Sequence, residues 1–404
     1  MNLDNPSRPP AFVFGLTVNG LSILRSLGRR GIVTYGLDAD PAKIGYFSRY
    51  CHHRVLLADP LREPRGAAAK IRDVAAGTGT QPVLFLASDD YLGLFASRYA
   101  ELTALFLHAL PAPDVIETIL DKRKLAAIAE ELGIPRPRTV PLRSAEEAEA
   151  LARSFGFPVL LKPAVGYLTR RRAGFERRKL AVIRDAGDLK AVLRSGAIEP
   201  SEMMLQEPIP GPDHALTIFR TYYDRTGRPL VFYTKGKLRQ YPIHYGYGCA
   251  NESRWEPEVA RLGRLLLDRL GYRGLGGVEF KRDDRDGLFK LIEINGRTAM
   301  TDELPIASGI DFPWLAYRDL TGEPVQEVRR FEEGGKWFRV RHDFAAFRQY
   351  RKEGSLSWGA WLRSYRGRKV YSTFTRDDPL CLGRRFLWET LRRLKVPGGL
   401  RRYH

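Results

Sequence analysis

Two neighbouring segments carry the side chains best suited to chemistry: "GGVEF", which contains Glu279, and "FKLIEINGR", which runs from Phe289 to Arg297. In an extended chain, Leu291, Glu293, Asn295 and Arg297 share one face and Ile292 and Ile294 the other. A three-residue loop, Arg285-Asp286-Gly287, is expected to join the two segments as a hairpin. That loop pairs Asp284 with Leu288 and sets Glu279 directly opposite Glu293, leaving Val278, Phe280, Ile292 and Ile294 for the core. Two carboxylates facing each other across a ladder repel. A hard cation between them reverses the sign. Mg²⁺ takes oxygen ligands and commonly combines one or two protein carboxylates with substrate phosphates. The pattern therefore points to a Mg²⁺–phosphate site with Glu279, Glu293 and the Asn295 amide oxygen as ligands. Arg297 follows on the same face, where a guanidinium can hold a phosphate oxygen. The competing reading is a solvated strand face neutralised by Lys and Arg.

Phosphates also need cations elsewhere. Lys162 ends the apolar run "FPVLLKP", where an unpaired ammonium is costly and an anionic partner removes the cost. Lys122 opens a helix, an unfavourable end for a cation unless an anion docks there too. The loop "GYLTRRRAG" (166–174) can fold over phosphates. In "KGKLRQYP" (235–242), Lys235, Lys237 and Arg239 alternate onto one strand face, suited to an anionic substrate or intermediate. A solvated edge strand kept from pairing by lysines is the alternative. His244 and Tyr245 follow and are expected to line an acceptor pocket. Asp89 and Asp90 end a strand, where they either face a ligand crevice or, in the case of Asp90, cap the next helix.

The elements that position these residues begin with strand, glycine turn, helix, strand: "AFVFGL", Gly15 to Gly20, "LSILRSLGRRG" and "IVTYGLD". "PVLFLAS" is the next strand expected, and strands alternating with helices imply a parallel sheet. The glycines do not match G-x-G-x-x-G, so no nucleotide is expected in this first unit. Proline clusters around "LPAPDVIETILDKRKLAAIAEELGIPRPRT" mark a boundary. Strands are expected at "MMLQEPIPG" (203–211), broken by two prolines, and at "TIFRTYYD", "PLVFYTKGKLRQY", "LGGVEF" and "FKLIEING", with a helix at "EPEVARLGRLLLDRLGY".

The chain has 404 residues, 44% of them apolar, which suits two or three globular domains. The first residues lack the basic start and apolar run of a signal peptide, and no uncharged apolar run reaches the roughly 18 residues of a spanning helix. Cys51, Cys249 and Cys381 are far apart and form no metal or disulfide spacing, so a cytoplasmic setting is expected. The net charge is +19 and uneven: residues 326–404 hold 20 Lys/Arg against 8 Asp/Glu, and four of the six tryptophans. Basic, aromatic composition attracts anionic surfaces, and the "RRFLWETLRRLKV" helix aligns Leu387, Leu391 and Leu394. Docking on the protein's own core, a homodimer contact and a peripheral membrane contact all fit this segment. Nucleic acid is not expected as a partner.

The order Lys122, "FPVLLKP", glycine-bounded loop, "LQEPIPG", "GVEF" and "LIEINGR" resembles the ATP-grasp superfamily over about residues 10–325. "GKLRQYP" and "ASGIDFPWLAYRDLTGEP" resemble its carboxylate–amine ligase branch, near carbamoyl-phosphate-synthetase-like and D-aspartate-ligase-like proteins. The resemblance implies an α/β fold: a Rossmann-like domain (1–112), an ATP-grasp domain of two α+β subdomains (113–325, lid about 140–205), and a basic C-terminal extension (326–404). It implies ATP held by Lys122 and Lys162, adenine read by Gln206, Glu207 and Ile209, and ribose held by Asp213. It implies Mg²⁺, two ions with Mn²⁺ able to substitute, on Glu279, Glu293 and Asn295. Arg297 and Arg239 would stabilise the transferred phosphoryl group. The expected reaction joins a small-molecule carboxylate to an amine through an acyl phosphate, releasing ADP and phosphate. The alternatives are a carbamoyl- or carboxy-phosphate-forming enzyme and a non-catalytic basic binding protein. The 166–174 loop has more arginine and less glycine than the family's usual lid.

Overall fold

Strand β1 (Ala11–Phe14) is apolar at every position and buried at every position, as a strand covered on both faces must be. It pairs in parallel with β2 (Thr34–Asp38) and β4 (Val83–Leu86), and β2 pairs with β3 (His53–Leu56), giving the order β3-β2-β1-β4. β3 was not expected: its four residues, His53 to Leu56, form an edge strand with partly exposed side chains, half of them polar. The computed structural model describes residues 8–169, 180–194 and 199–393. The turn after β1 is tight enough that a Cβ on Gly20 would lie 2.3 Å from the Gly15 carbonyl oxygen, so glycine is required there. The helix Val18–Gly28 starts at Thr17, whose hydroxyl accepts from the Asn19 amide. At the other side of the sheet, β4 runs into the helix Asp89–Ser97, which leaves Asp89 at the carboxyl end of a parallel strand.

A second sheet has the order β5-β8-β6-β7, built from β5 (Thr139–Pro141), β6 (Val159–Pro163), β7 (Ala181–Ile183) and β8 (Met203–Gln206), with antiparallel pairs throughout. Its small core of Leu142, Val159, Leu161, Ile183, Leu189 and Leu205 forms a cluster separate from the rest of the protein. Of the expected 166–174 loop, Gly166–Thr169 form one helical turn, and residues 170–174 lie outside the described residues.

The largest sheet has seven strands in the order β13-β12-β9-β10-β11-β14-β15. These are β9 (Leu216–Tyr223), β10 (Tyr233–Tyr241), β11 (Tyr247–Ser253), β12 (Gly274–Arg282), β13 (Phe289–Asn295), β14 (Lys336–Phe338) and β15 (Lys369–Tyr371). Val278, Phe280, Leu291 and Ile294 on this sheet share one core with Phe12, Phe14 and Leu86 of the first sheet. Burying each such side chain is worth roughly 1.5–3 kcal/mol.

Residues 326–404 were expected as an extension beyond this core. Instead, β14 pairs with β11 and β15 with β14, so this region supplies two strands of the main sheet. The helix Val340–Lys352 packs on β10 and β11. After β15 the chain returns to the first unit, where Asp378 accepts from Arg25 at 3.1 Å and Ser48 at 2.7 Å, and Trp388 meets Phe47 edge-on. Three-residue strands in a basic segment carry no periodicity, which is why composition alone read them as an appendage. Leu387 is exposed, Leu391 is partly buried and Leu394 lies outside the described residues. Among the described residues no helix is long and apolar enough to cross a membrane.

Candidate functional site

The β12–β13 hairpin holds the two carboxylates. Glu279 lies directly opposite Glu293, and Val278 opposite Ile294. The route to that register differs from the expected one. The turn pairs Asp283 with Leu288, whose carbonyl accepts the Asp283 amide at 2.9 Å, rather than Asp284 with Leu288. Asp283 wins because its carboxylate collects the Arg285 backbone and guanidinium and the Lys290 ammonium at 2.5 Å. This shifts the ladder by one residue, and a bulge at Ile292 between the Leu291 and Glu293 pairs shifts it back. The bulge also exchanges two side chains. Leu291 enters the core, and Ile292, expected there, lines the cleft beside Glu293.

From Glu293 a chain of polar contacts runs to the first sheet. Asn295 Nδ2 donates to Glu293 Oε1 at 3.2 Å, and Asn295 Oδ1 accepts from Arg297 Nη2 at 3.1 Å. Arg297 Nε and Nη2 then grip the two oxygens of Asp89 at 2.5 and 3.2 Å. Burial works against the guanidinium's charge, but Asp89 and Glu293 outweigh it and hold the Arg297 pKa above its ordinary value. Asp89 therefore faces the crevice and belongs to the site. Glu279, on the neighbouring strand, accepts from Lys237 Nζ at 2.5 Å.

Across the cleft, the Lys122 ammonium donates to the Pro163 carbonyl at 3.1 Å, and its amide to Ala164 at 3.0 Å. Asp121, the N-cap, accepts from Arg123. Lys162 Nζ donates to Gln206 Oε1, and Gln206 Nε2 to Thr139 at 2.9 Å. One cleft is lined by Lys122, Lys162, Gln206, Ile209, Glu279, Glu293, Asn295 and Arg297. His244, Tyr245, Gly246 and Tyr247 also line it. Lys281 also lines it and was missed. Its ammonium donates to the Ile209 carbonyl at 2.8 Å, and burial lowers its pKa. The signal was present, since Lys281 is two residues beyond Glu279 and so shares its face.

Four expected residues point elsewhere. Arg239 sits on the opposite side of β10, because the strand is irregular both between Lys237 and Arg239 and between Arg239 and Gln240. Gln240 lines the cleft in its place. Arg239 instead pairs with buried Asp343 at 2.6 and 3.1 Å and donates to Ser364 at 3.0 Å. Lys235 is also buried away from the cleft, donating to Thr301. The Glu207 carboxylate accepts from the Arg138 amide at 2.9 Å and from Arg285 at 3.0 Å, so its side chain ties the second sheet to the hairpin turn. Although burial opposes ionisation, those partners keep Glu207 below the usual carboxylate range. Asp213 is buried and accepts from the His244 amide at 2.8 Å and from the Tyr350 hydroxyl.

Two facing carboxylates are hard oxygen donors of the kind Mg²⁺ takes, and the Asn295 amide beside them, whose oxygen here accepts from Arg297, would join them only with its plane turned.

No protein-family model matches the chain. It is similar to a D-alanine–D-alanine ligase of Pseudomonas putida, 25% identical over 283 residues, which is 62% of this chain and 85% of that one. It is similar to a D-aspartate ligase of Enterococcus faecium, 27% identical over 247 residues, covering 59% of this chain and 58% of that one. In structure it resembles the biotin carboxylase of Campylobacter jejuni, with a TM-score of 0.61 at 18% identity over 81% of this chain and 74% of that one, a likeness of fold. The paired hairpin carboxylates and the lysines facing them agree with this kinship: the homologues of the chain are ATP-grasp carboxylate–amine ligases.

Proposed function

We propose that the protein uses ATP to activate a small-molecule carboxylate as an acyl phosphate and passes the acyl group to an amine, releasing ADP and phosphate. The observation that carries this reading is the cleft in which Glu279 and Glu293 face each other with Lys122 and Lys162 across from them. In this reading Lys122 and Lys162 hold the ATP phosphates, and Gln206 and the backbone at Ile209 border the adenine. Glu207 contributes through its main chain only, because its carboxylate is taken by Arg138 and Arg285. Asp213 is withdrawn from the ribose by Tyr350 and His244. Glu279, Glu293 and Asn295 would hold Mg²⁺, which when bound supplies neutralising charge to the β- and γ-phosphates.

The substrate carboxylate attacks the γ-phosphorus in line. The amine then attacks the acyl carbon, and phosphate leaves from a tetrahedral intermediate. Arg297, aimed by Asp89 and Asn295, would stabilise the developing oxyanion. The second sheet, with its own core, covers the cleft from the side of β6 and β8 and excludes water from the acyl phosphate. A Rossmann-like first unit supports the substrate end through Asp89.

The test is ADP and phosphate release screened over amino acids and carboxylic acids in pairs, with bicarbonate as a control and mass detection of the condensed product. Release that requires both a carboxylate and an amine supports the reading. Release with bicarbonate alone supports carboxy-phosphate formation and overturns it. Asp89→Asn should lower kcat by roughly 10–100-fold while leaving the KM for ATP within about twofold, since its carboxylate aims Arg297. Equal loss in both parameters would show that Asp89 supports the whole cleft instead.

A further inference from the structure

The loop from Tyr241 to Tyr247 has one side on the cleft and the other on the helix Val340–Lys352. On the cleft side, His244, Tyr245, Gly246 and Tyr247 are lining residues. The loop's conformation is demanding. His244 has φ +70°, and among the described residues it is the non-glycine residue with positive φ. A Cβ on Gly246 would lie 2.2 Å from the Tyr241 carbonyl carbon, so the loop closes on its own backbone there. Conformations of this kind persist only where the surroundings over-determine them.

The surroundings that do so come from the C-terminal region. Tyr350 accepts from the Gln240 amide at 3.2 Å and donates to Asp213, which in turn accepts the His244 amide at 2.8 Å. Gln240 Nε2 donates to the His244 carbonyl at 2.9 Å. Gln349 accepts from the Ile243 amide at 3.4 Å, and the His342 ring meets Tyr241 edge-on. Glu353, just past the helix, faces His244 Nε2 at 3.1 Å. Tyr350 also shares an apolar cluster with Cys249, Tyr241 and Ile243.

We infer that the helix Val340–Lys352 is a clasp: through Tyr350, with Glu353 as a second hold, it sets the shape of the substrate-facing wall and so the choice of substrate. Tyr350 and Glu353 are positioning residues and do not line the cleft. The selectivity part of the inference rests on the ligase reading; the clasp itself does not.

The experiment has two arms, both on the full chain. In the first, hydrogen–deuterium exchange is followed without ligand in peptides covering 240–248. Tyr350→Phe should raise exchange there at least tenfold and leave β1 and β4 unchanged, since both hydrogen bonds of the Tyr350 hydroxyl, from the Gln240 amide and to Asp213, are lost. Glu353→Gln, at an exposed position, provides a variant that folds if Tyr350→Phe does not, with a smaller rise confined to the same peptides. Unchanged exchange in both variants overturns the clasp. In the second arm, the pair of substitutions should raise the KM for the non-nucleotide substrates while the KM for ATP stays fixed. Parallel changes in both KM values would overturn the selectivity role. Absence of turnover in the unaltered protein would overturn the ligase reading and the selectivity role together, and leave the exchange result standing.

Discussion

Glu293→Gln should reduce substrate-dependent ADP release by about 10²–10³-fold, because charge stabilisation at the transferred phosphoryl is worth several kcal/mol and each 1.36 kcal/mol is tenfold. The substitution preserves shape and can still accept from Asn295. What it removes is one of two negative charges facing each other across the hairpin. In the metal-free protein that removal should stabilise the fold by a few tenths of a kcal/mol, since like charges directly opposite in a ladder repel. Added Mg²⁺ and ADP should raise the melting temperature of the unaltered protein and should raise it far less in the variant. The two signs together identify a cation site: lower activity with equal or higher intrinsic stability. Normal turnover, or the same ligand-induced shift in both proteins, would remove Glu293 from the metal site. Glu279→Gln is a poorer probe. Glu279 is the partner of the buried Lys237 ammonium, so its loss confounds metal binding with an uncompensated charge.

Asp343→Ala should cost about 3–5 kcal/mol of stability, the usual consequence of leaving a buried charge without its partner. Asp343 has no exposed surface and accepts from Arg239, from Trp361 Nε1 at 2.9 Å and from the Tyr365 hydroxyl at 2.7 Å. The remaining Arg239 guanidinium, itself only 5% exposed, would have Ser364 for a partner. Against a total of about 5–15 kcal/mol for a typical domain, this is a large fraction. Denaturant titration should show a lower midpoint with an unchanged slope. Arg239→Met combined with Asp343→Leu should recover most of the loss by replacing the pair with apolar groups of similar size. This prediction separates the two roles considered for Arg239. A variant at Arg239 that abolished turnover at unchanged stability would return it to the catalytic site.

Much of the cleft was legible because its logic is local. Glu279 and Glu293 could be placed opposite each other from alternation and a turn signal, although the expected turn was off by one and the bulge at Ile292 compensated. Lys122 and Lys162 stood out because each is a cation at a place that disfavours one: a helix start and the end of a buried strand. Lys281 was readable by the same alternation and was passed over.

What the chain determined alone was a set of elements with clear periods: the parallel strands β1, β2 and β4, the helices Val18–Gly28, Lys122–Glu131 and Pro257–Arg269, and the two carboxylate strands. Tertiary structure decided the rest, wherever pairing rather than period sets direction. The irregularities in β10 turn Arg239 into the protein and Gln240 into the cleft, and they arise from the match with β11, a strand whose "YGCANES" has no strand signal of its own. β14 and β15 are three residues each and exist because a sheet edge was there to receive them. Asp89 meets Arg297 across 208 residues of sequence, and Tyr350 reaches Asp213 across 137. No local pattern encodes such meetings, because they depend on where two separately formed sheets come to rest against each other.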